Sequence, residues 1–434
     1  MEKTYIDEIG LPRGWKRVRF DEVIKFLTDF QANGSFAGLK ENVRYYSESN
    51  YAVLVRLKDL RNNLNDEKSF VYTDKKGYDF LKKSKVTEGD ILVANVGAGV
   101  GTTLKMPPFN KRGTLGPNMF RVDLKDMILK NFFLAFTGSV NYWHQLNLVS
   151  AGSGQPKINK SQYKSIEIPL PPIETQHAIV SKIEELLSEL DKGKQQLELA
   201  QQQLKVYRQA VLKWAFEGKL TNKDVKEGEL PEGWEHVELR DISELITKGA
   251  SPKWQGINYV DDASQVLFVT SENVRENYID ISEPKYLEIG FNVKQRRSIL
   301  KKGDILLNIV GASIGRAAIF DLERNANINQ AVSVIRLNNK AVKEYVCYFL
   351  NSNVALSYYN LNKVDFARAN LSLADVSNLP LALPSVKGQQ NIVLEIESRL
   401  SVCDKLEETI NQSLTQAETL RQSILKKAFE GKLV

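Results

Sequence analysis

The chain is poor in the residues that build metal sites and disulfides. Its 434 residues include two cysteines and three histidines. Cys347 and Cys403 fall in apolar helical patterns, which is typical of reduced packing residues rather than of a disulfide or a metal ligand. His144, His177 and His236 are scattered along the chain, with no partner at ligand spacing. A zinc site is therefore not expected.

Long hydrophobic runs are missing as well. No stretch approaches about 18 consecutive apolar residues, and residues 1–7 lack a basic flank followed by an apolar run. We therefore expect neither a membrane span nor a signal peptide, and a cytoplasmic location. The hydrophobic content of 42% is ordinary for a protein with folded cores. The net charge of +6 permits a polyanionic partner without requiring one.

Sequence signatures of catalysis are also lacking. Gly97, Gly99 and Gly101 follow a predicted strand, but the next residues start a helix poorly and no Gly-Lys-Ser/Thr follows, so a turn is favoured over a nucleotide-binding loop. Met106-Pro107-Pro108-Phe109 resembles the Asn-Pro-Pro-Tyr/Phe loop of amino-methyltransferases, but methionine cannot make the hydrogen bond of its first position. There is no Ser/His/Asp arrangement and no repeated nuclease pattern. These absences disfavour a single-chain modification enzyme.

What the chain has instead is a long helical repeat. Residues 173–220 and 386–433 both end in Ala-Phe-Glu-Gly-Lys-Leu, at an offset of 213 residues. Apolar residues recur every seven positions in both copies, which predicts the seam of a coiled coil. The seam positions are Ile183, Leu190, Leu197, Leu204 and Val211, then Ile396, Cys403, Ile410, Ala417 and Ile424. Their companions are Leu186, Ala200, Tyr207 and Trp214, then Leu400, Leu406, Leu414 and Leu420. Two core helices of one large domain remain the alternative, disfavoured by length.

The residues before each long helix form a second repeat. Leu11-Pro12-Arg13-Gly14-Trp15 returns as Leu230-Pro231-Glu232-Gly233-Trp234, and Gly89-Asp90-Ile91-Leu92 returns as Gly303-Asp304-Ile305-Leu306. Each block carries short strands rich in Val, Ile and Leu, followed by a helical pattern. The predicted strands are Ala52–Leu57, Asp90–Val96 and Met119–Val122, then Val266–Thr270, Asp304–Val310 and Ala331–Leu337. The predicted helices are Leu129–Gln145 and Ala341–Tyr359.

The order of these pieces predicts the architecture. We expect an α+β protein with two mixed α/β domains, at residues 1–172 and 221–385, separated by two long antiparallel coiled-coil helices at 173–220 and 386–434. The duplication gives a pseudo-twofold internal repeat. Antiparallel packing would hold two similar heads at opposite ends of a stiff rod of about 65 Å.

Polar and basic residues cluster on the loops of both blocks. Arginine and lysine suit phosphates and guanine edges, and asparagine and glutamine suit adenine edges in the major groove. A solvated surface explains any single one of them, but their pairing across the blocks favours DNA for the group. The candidates in the first block are Arg56, Lys58, Arg61, Asn62, Lys111, Arg112, Gln155, Lys157 and Asn159. Those in the second are Thr270, Ser271, Asn273, Arg275, Arg296, Arg297, Arg316, Arg368 and Asn370.

The ordered set of motifs resembles the DNA-specificity (S) subunit, HsdS, of type I restriction-modification enzymes, over the whole chain. The motifs are the Leu-Pro-x-Gly-Trp openings, the Gly-Asp-Ile-Leu strands, the proline-to-helix joins at 170–176 and 383–389, and the Ala-Phe-Glu-Gly-Lys-Leu ends. The resemblance implies that each block is a target recognition domain that reads one half of a bipartite site in double-stranded DNA. It also implies that the paired helices set the spacer and dock two methyltransferase (M) subunits.

The same resemblance assigns the chemistry to partner subunits. The M subunits would methylate adenine with S-adenosylmethionine, and restriction (R) subunits would use ATP and Mg²⁺ to translocate and cleave DNA. This chain would be non-catalytic and would bind none of these cofactors. The outward faces of the helices and the Ala-Phe-Glu-Gly-Lys-Leu ends would be open to partners. A coiled-coil interaction scaffold with two protein-binding heads remains the alternative.

Overall fold

The computed structural model describes residues 10–150, 154–222, 224–226, 228–363 and 369–434. These residues form two compact units. The first comprises the chain up to Leu197 together with Gln412–Val434, and the second is Glu198–Asn411. Each unit therefore holds one of the repeated blocks and a part of each long helix.

The first block is built from short strands and helices. Its strands are β1 (Lys16–Arg19), β2 (Ile24–Asp29), β3 (Ala52–Val55), β4 (Tyr72–Thr73), β5 (Lys85–Val86), β6 (Ile91–Ala94), β7 (Thr103–Lys105), β8 (Gly113–Leu115), β9 (Met119–Leu124) and β10 (Glu167–Leu170). Its helices are α1 (Phe20–Val23), α2 (Phe36–Asn42), α3 (Leu57–Arg61), α4 (Lys75–Phe80), α5 (Lys130–Thr137), α6 (Val140–Val149) and α7 (Lys160–Lys164). The long helix α8 (Ile173–Phe216) follows.

The second block has a similar but not identical order of elements. Its strands are β11 (Glu235–Glu238), β12 (Ser243–Lys248), β13 (Tyr259–Val260), β14 (Val266–Val269), β15 (Tyr286–Leu287), β16 (Ile305–Asn308), β17 (Ala317–Ile319), β18 (Ala326–Ile328), β19 (Val332–Leu337) and β20 (Pro380–Leu383). Its helices are α9 (Gly290–Lys294), α10 (Lys343–Leu350), α11 (Asn353–Asn362) and α12 (Leu373–Ser377), and the long helix α13 (Val386–Phe429) follows. Among the described helices, none is both long and apolar enough to cross a membrane.

The sheets show that the duplication extends to topology. An antiparallel sheet has the order β2-β9-β6-β7 in the first unit and β12-β19-β16-β17 in the second. Another sheet contains a parallel pair, β3 with β8 and β14 with β18. A two-stranded ribbon, β1 with β10 or β11 with β20, precedes each long helix. Even an irregularity is shared, because β2 and β12 both shift register near their first residues.

The cores lie between these sheets and the helices that cover them. All four residues of β3, β6, β14 and β16 are buried. A strand that is buried on both faces appears in the sequence as a continuous apolar run, and this run is what predicts a strand at each of these segments. The predicted turn at Gly97–Gly101 is confirmed, because these residues lie between β6 and β7.

The two predicted block helices are each broken in two, which corrects the sequence interpretation. Leu129–Gln145 forms α5 and α6, and Ala341–Tyr359 forms α10 and α11. A serine ends the continuity in both cases, because Ser139 Oγ accepts a hydrogen bond from Tyr142 N and Ser352 Oγ accepts one from Ala355 N. Such a side chain satisfies the free amides that begin a new helix.

A buried glutamine anchors each long helix to its block. Gln176, fully buried, accepts a hydrogen bond from Leu129 N at 2.8 Å and donates to the carbonyls of Met127 and Pro171. Gln389 repeats the arrangement, accepting from Val342 N at 2.7 Å and donating to two carbonyls. At each site one side chain thus satisfies three backbone groups that lie outside the long helix.

The long helices run antiparallel within each unit. In the first unit Arg421 of α13 donates to Asp191 of α8 at 3.0 Å. In the second, Arg208 of α8 donates to Asp404 at 2.7 Å and to Glu407 at 3.0 Å. Further along, Gln201 donates to Asn411 at 3.2 Å, so residue numbers rise along one helix as they fall along the other.

The seam positions differ in how deeply they are covered. Ile183, Val211, Ile396, Cys403, Ile410 and Ile424 are buried, whereas Leu190, Leu197, Leu204 and Ala417 are half-buried. Four companion positions depart from the expected seam, because Tyr207, Trp214, Leu406 and Leu420 are between 40 and 51% exposed. One partner helix covers only a narrow stripe, so positions beside that stripe remain in water.

The alanine and phenylalanine of each Ala-Phe-Glu-Gly-Lys-Leu end are buried, so these residues are not open to partners as expected, whereas Leu220 and Leu433 are half-buried. Phe429 packs against Phe132 and Phe136, with ring centroids 5.2 and 5.1 Å apart. Phe216 packs in the same way against Tyr345 and Phe349, at 5.3 Å from each.

The glycine of each end contacts the proline of a Leu-Pro-x-Gly-Trp opening. A Cβ on Gly431 would lie 2.2 Å from Cγ of Pro12, and one on Gly218 would lie 2.3 Å from Cγ of Pro231. The Ala-Phe-Glu-Gly-Lys-Leu end and the Leu-Pro-x-Gly-Trp opening therefore pack against each other once in each unit, and we call this contact the joint.

Candidate nucleic-acid interface

Two candidate segments of the first unit meet at the glycine turn. Gly97 N donates to the carbonyl of Pro156 at 2.8 Å, and Val96 pairs with Lys157 in an isolated bridge. On the other side of the turn, a Cβ on Gly99 would lie 2.4 Å from a methyl group of Leu57 and 3.1 Å from the guanidinium of Arg61. The side chains gathered here are exposed, and we name them the first polar surface: Lys58, Arg61, Asn62, Gln155 and Lys157.

Arg56 has a different role from its neighbours. Its guanidinium donates to both carboxylate oxygens of Asp59, at 2.9 and 2.7 Å, and its backbone N donates to the same carboxylate. Asp59 is buried, so this pair neutralises a charge inside the domain. The hydrogen bond to Asp59 raises the pKa of Arg56 above its ordinary value. Arg56 is therefore fixed by its ion pair with Asp59, and this pair stabilises the domain.

Lys111 and Arg112 lie away from the first polar surface. They precede β8, which runs parallel to β3, whereas α3 follows β3. They therefore sit at the opposite end of these strands. Lys111 is 2.7 Å from Glu67, and the guanidinium of Arg112 lies 4.6 Å from the ring centroid of Tyr51.

Asn159 caps a helix. Its side-chain oxygen accepts from Gln162 N at 2.8 Å, and its own backbone N donates to the side chain of Gln162. This reciprocal pair begins α7 and fixes the end of the segment that carries Lys157. The side-chain oxygen of Asn159 is thereby occupied.

An equivalent surface forms in the second unit. Asn308, at the end of β16, donates through Nδ2 to the carbonyl of Ser271 and through its backbone N to that of Arg316, both at 2.9 Å. Val310 pairs with Asn370 in an isolated bridge, as Val96 does with Lys157. Ser271, Arg316 and Asn370 thus meet at the matching place, and we name them the second polar surface.

Three other candidates of the second unit hold a turn together. Thr270 donates through both N and Oγ1 to the side-chain oxygen of Asn273, at 2.8 and 2.9 Å. Arg275 lies 3.6 Å from Asp280. Hydrogen bonds from Ser282, and then the charge of Arg275, lower the pKa of Asp280. The Thr270–Asn273 turn follows β14 as the Arg56–Asp59 turn follows β3. Both units therefore have a turn at this position, closed by different side chains.

The remaining basic candidates do not join the second polar surface. Arg296 and Arg297 are exposed on a short turn that precedes Leu300, whose N donates to Ala326 at the start of β18. Ser271 follows the parallel strand β14, so the arginines lie at the opposite end of these strands. Arg368 lies outside the described residues.

Sequence reasoning missed the aromatic side of the first unit. A cavity of about 1140 Å³ opens beside the first polar surface. Its lining includes Lys157 and Asn159 together with two exposed rings, Phe36 and Tyr45. Partial burial raises the pKa of Tyr45, which keeps its phenol neutral. The available signal was an aromatic residue within a polar segment that precedes the first predicted strand.

The described residues contain no group of three or more His, Cys, Asp or Glu side chains placed to hold a metal ion. Cys347 and Cys403 are buried and form no disulfide, as predicted for packing residues.

Comparison with known proteins agrees with the duplicated architecture. The family model for the type I restriction modification DNA specificity domain matches twice, at residues 12–200 and 231–416. The EcoKI specificity subunit of Escherichia coli (strain K12) is 28% identical over 412 residues, covering 91% of this chain and 85% of that protein. The StySPI specificity subunit of Salmonella potsdam is 26% identical, with 98 and 90% covered. The EcoBI specificity subunit of Escherichia coli is 30% identical over 303 residues, which span 66% of this chain but only 63% of that relative.

Solved structures show the same fold at lower identity. A chain from a type I R-M system whose complex assembly and conformational transition were studied superposes with a TM-score of 0.75 at 19% identity, covering 98% of this chain and 99% of that one. The HsdS subunit from Thermoanaerobacter tengcongensis gives a TM-score of 0.56, also at 19% identity, with 97 and 98% covered.

Proposed function

The chain belongs to the type I restriction modification DNA specificity family, and from that premise we propose that it is the DNA-specificity subunit of a type I restriction-modification complex. Each block is a recognition domain for one half of a bipartite site in double-stranded DNA. The scaffold alternative has no support, because the relatives named above are specificity subunits of type I restriction enzymes.

The observation that carries the proposal is the duplicated polar surface. Both surfaces form where an isolated bridge ties a loop to the strand that ends at Ala94 or Asn308. The frame is the same, but the side chains differ: Lys58, Arg61 and Lys157 in the first unit, against Ser271, Arg316 and Asn370 in the second. A shared frame with different donors and acceptors suits two readers of different base sequences.

The long helices supply the second part of the proposal. Each contains 44 residues, a length of about 66 Å. We assign them the role of setting the unread spacer and docking two M subunits. Those M subunits would hold S-adenosylmethionine, and R subunits would hold ATP and Mg²⁺. In this proposal the chain itself binds no cofactor, performs no bond chemistry and acts on DNA in the cytoplasm.

The test begins with a methylation map of DNA from cells that express this chain with its M subunit. The purified assembly should then bind a duplex with the mapped site far better than a scrambled duplex. Its affinity should fall steeply as salt rises, because each neutralised phosphate releases counterions. Equal, salt-insensitive binding to both duplexes would refute the proposal.

Half-site independence is tested with duplexes that carry one altered half. Lys157→Ala should weaken recognition of one half-site, and Asn370→Ala that of the other, each contact to a base being worth about 1–3 kcal/mol. The Arg296 and Arg297 pair, changed to alanine, should affect only the half-site that Asn370→Ala affects. Lys125→Ala is the control, because Lys125 is exposed just beyond β9, at the end away from the first polar surface. Equal loss at both half-sites would contradict the assignment.

A further inference from the structure

Each recognition domain presents one highly exposed aromatic ring in the segment that follows the same strand of its antiparallel sheet. Phe36 is 82% exposed and Trp254 is 87% exposed. Phe36 lies seven residues after the end of β2, and Trp254 lies six residues after the end of β12. Single exposed apolar residues are common and need no explanation. A highly exposed ring that recurs in the same segment of both blocks is a separate observation, and it requires an explanation.

The two rings are mounted by unrelated local structures. Phe36 is the first residue of α2, after Ser35, whose Oγ accepts from Gly38 N at 3.2 Å. Leu39 anchors this helix in a small apolar cluster. Trp254 stands on a turn in which Gln255 and Ile257 both donate to the carbonyl of Pro252, at 2.9 and 3.1 Å. Because different local structures carry a ring in the same segment of both blocks, we infer that both units retain the ring rather than the conformation of the loop.

Phe36 lies on the side of its domain that carries the first polar surface, and the segment that carries Trp254 begins on the corresponding side of the second domain. The last residue of β2, Asp29, pairs with Phe120 near the start of β9, and Asn118, just before β9, accepts from Asn95 N at 3.0 Å. Asp29 also binds Lys160 at 2.9 Å, in the segment that carries Lys157. Phe36 and Lys157 line the same cavity. In the second unit β12 ends beside Ser333 of β19 in the same way.

Lysine residues lie near both rings. Lys40 follows Phe36 by one helical turn and lines the cavity with it. Lys253 adjoins Trp254, and Lys294 donates to the carbonyl of Gln255 on the same turn. A ring flanked by lysines suits a nucleic acid, because the cations meet the phosphates while the ring meets a base.

We propose that Phe36 and Trp254 are stacking residues, one in each recognition domain, that press against a base step of the half-site read by that domain and partly unstack it. This inference rests on the DNA-reading function proposed above. It adds an apolar wedge to the hydrogen-bonding polar surface, and such wedges kink or loosen the duplex at flexible steps. Recognition at that step then depends on the free energy of unstacking the two bases, and it requires no hydrogen bond to a base edge.

The test uses the complete assembly with M subunits and the mapped site, with 2-aminopurine placed at each base of the site in turn. Unstacking raises the fluorescence of this base analogue. Phe36→Ala should remove the signal at one step of one half-site, and Trp254→Ala at one step of the other. Each should weaken binding roughly 10- to 100-fold. Phe36→Tyr and Trp254→Phe keep a ring and should retain both signals.

Val140→Ala is the control for losing an exposed apolar side chain, since Val140 is 60% exposed on α6. If the wild type distinguishes its site from a scrambled duplex while both alanine variants bind and fluoresce as it does, the stacking role is overturned and the specificity function stands. If the wild type makes no such distinction, the specificity function itself fails. Equal weakening of both half-sites by either alanine variant would also overturn the stacking role.

Discussion

At the scale of single residues, the structure separates side chains that build the domain from those free to meet a ligand. Arg56 and Lys157 are both basic loop residues in the sequence, yet Arg56 is paired with buried Asp59 and Lys157 is exposed. The sequence could not show the difference, because an aspartate three residues away is common in solvated loops too. What decides it is the burial of Asp59, a property of the folded chain.

The glycines at the helix ends give a prediction at this scale. Gly218→Ala and Gly431→Ala should each lower the free energy of unfolding by about 1–2 kcal/mol for the left-handed backbone. Each should lower it by about 1–3 kcal/mol more for the overlap with a proline ring. Their φ angles are +77° and +67°, and the clashing atoms belong to Pro231 and Pro12.

Gly233→Ala is the matched control, since Gly233 has φ +80° and open space around it. Urea unfolding should therefore place it between the wild type and the other two variants. Equal losses in all three would show that the proline contact contributes nothing.

Cys347 gives a second prediction, on reactivity. Burial, and then the charge of Glu344, raise the pKa of its thiol to about 12. The native protein should therefore resist iodoacetamide at pH 8, whereas unfolded protein should react. Above the ordinary pKa of 9.0 the unfolded thiol loses its proton, whereas the folded thiol keeps it. The free energy of unfolding should therefore fall as the pH rises above that value. Rapid alkylation of Cys347 in the native state, located by mass spectrometry, would contradict this.

At the scale of elements, hydrophobic patterning predicted buried strands and long helices best. The helix pattern beginning at Ile173 and the one beginning at Val386 coincide with the first residues of α8 and α13. The same patterning missed the break between α5 and α6, because apolar residues continue at helical spacing across Ser139. A capping hydrogen bond outweighs periodicity there, and only the folded backbone shows which serine makes it.

Gln176 and Gln389 give the prediction at this scale. Replacing either by leucine removes the side-chain partner of one buried carbonyl, that of Pro171 or Pro384, and of two partly buried backbone groups. Each buried group left unsatisfied costs about 1–3 kcal/mol. We expect the free energy of unfolding to fall by at least about 2 kcal/mol in each variant.

Gln202→Leu is the control, because Gln202 is exposed on α8. Urea unfolding monitored by circular dichroism measures all three variants. If Gln176→Leu and Gln389→Leu unfolded like Gln202→Leu, the anchoring role of the two glutamines would be wrong.

At the scale of the whole molecule, duplication made the architecture predictable. The strand order of the antiparallel four-stranded sheet repeats between the units. The sequence repeat gave the correct number of blocks because aligned motifs kept nearly constant offsets. The two aromatic rings were not predictable in this way. Their loops do not align, and only the shared topology shows that Phe36 and Trp254 follow corresponding strands.

The spacer gives the prediction at this scale. The ion pairs align α8 against α13, so seven-residue deletions of 194–200 and 412–418 remove matched stretches while preserving the heptad pattern. Seven helical residues span about 10 Å, which is close to three base pairs at about 3.4 Å each. The methylated site should keep both half-sites and lose about three base pairs of spacer. An unchanged spacer in the methylation map would exclude the helices from setting it.

The joint between Gly431 and Pro12 also bears on the order of synthesis. Ile424, Leu425, Ala428 and Phe429 belong to the core that contains Phe20 and Phe132. A ribosome makes these four residues only after the whole of the second unit, Glu198–Asn411, has been translated. The first unit is therefore synthesised first but is the last to complete its core. The apolar surface that α13 covers in this unit stays exposed while about 240 residues are added, which takes on the order of tens of seconds at bacterial elongation rates.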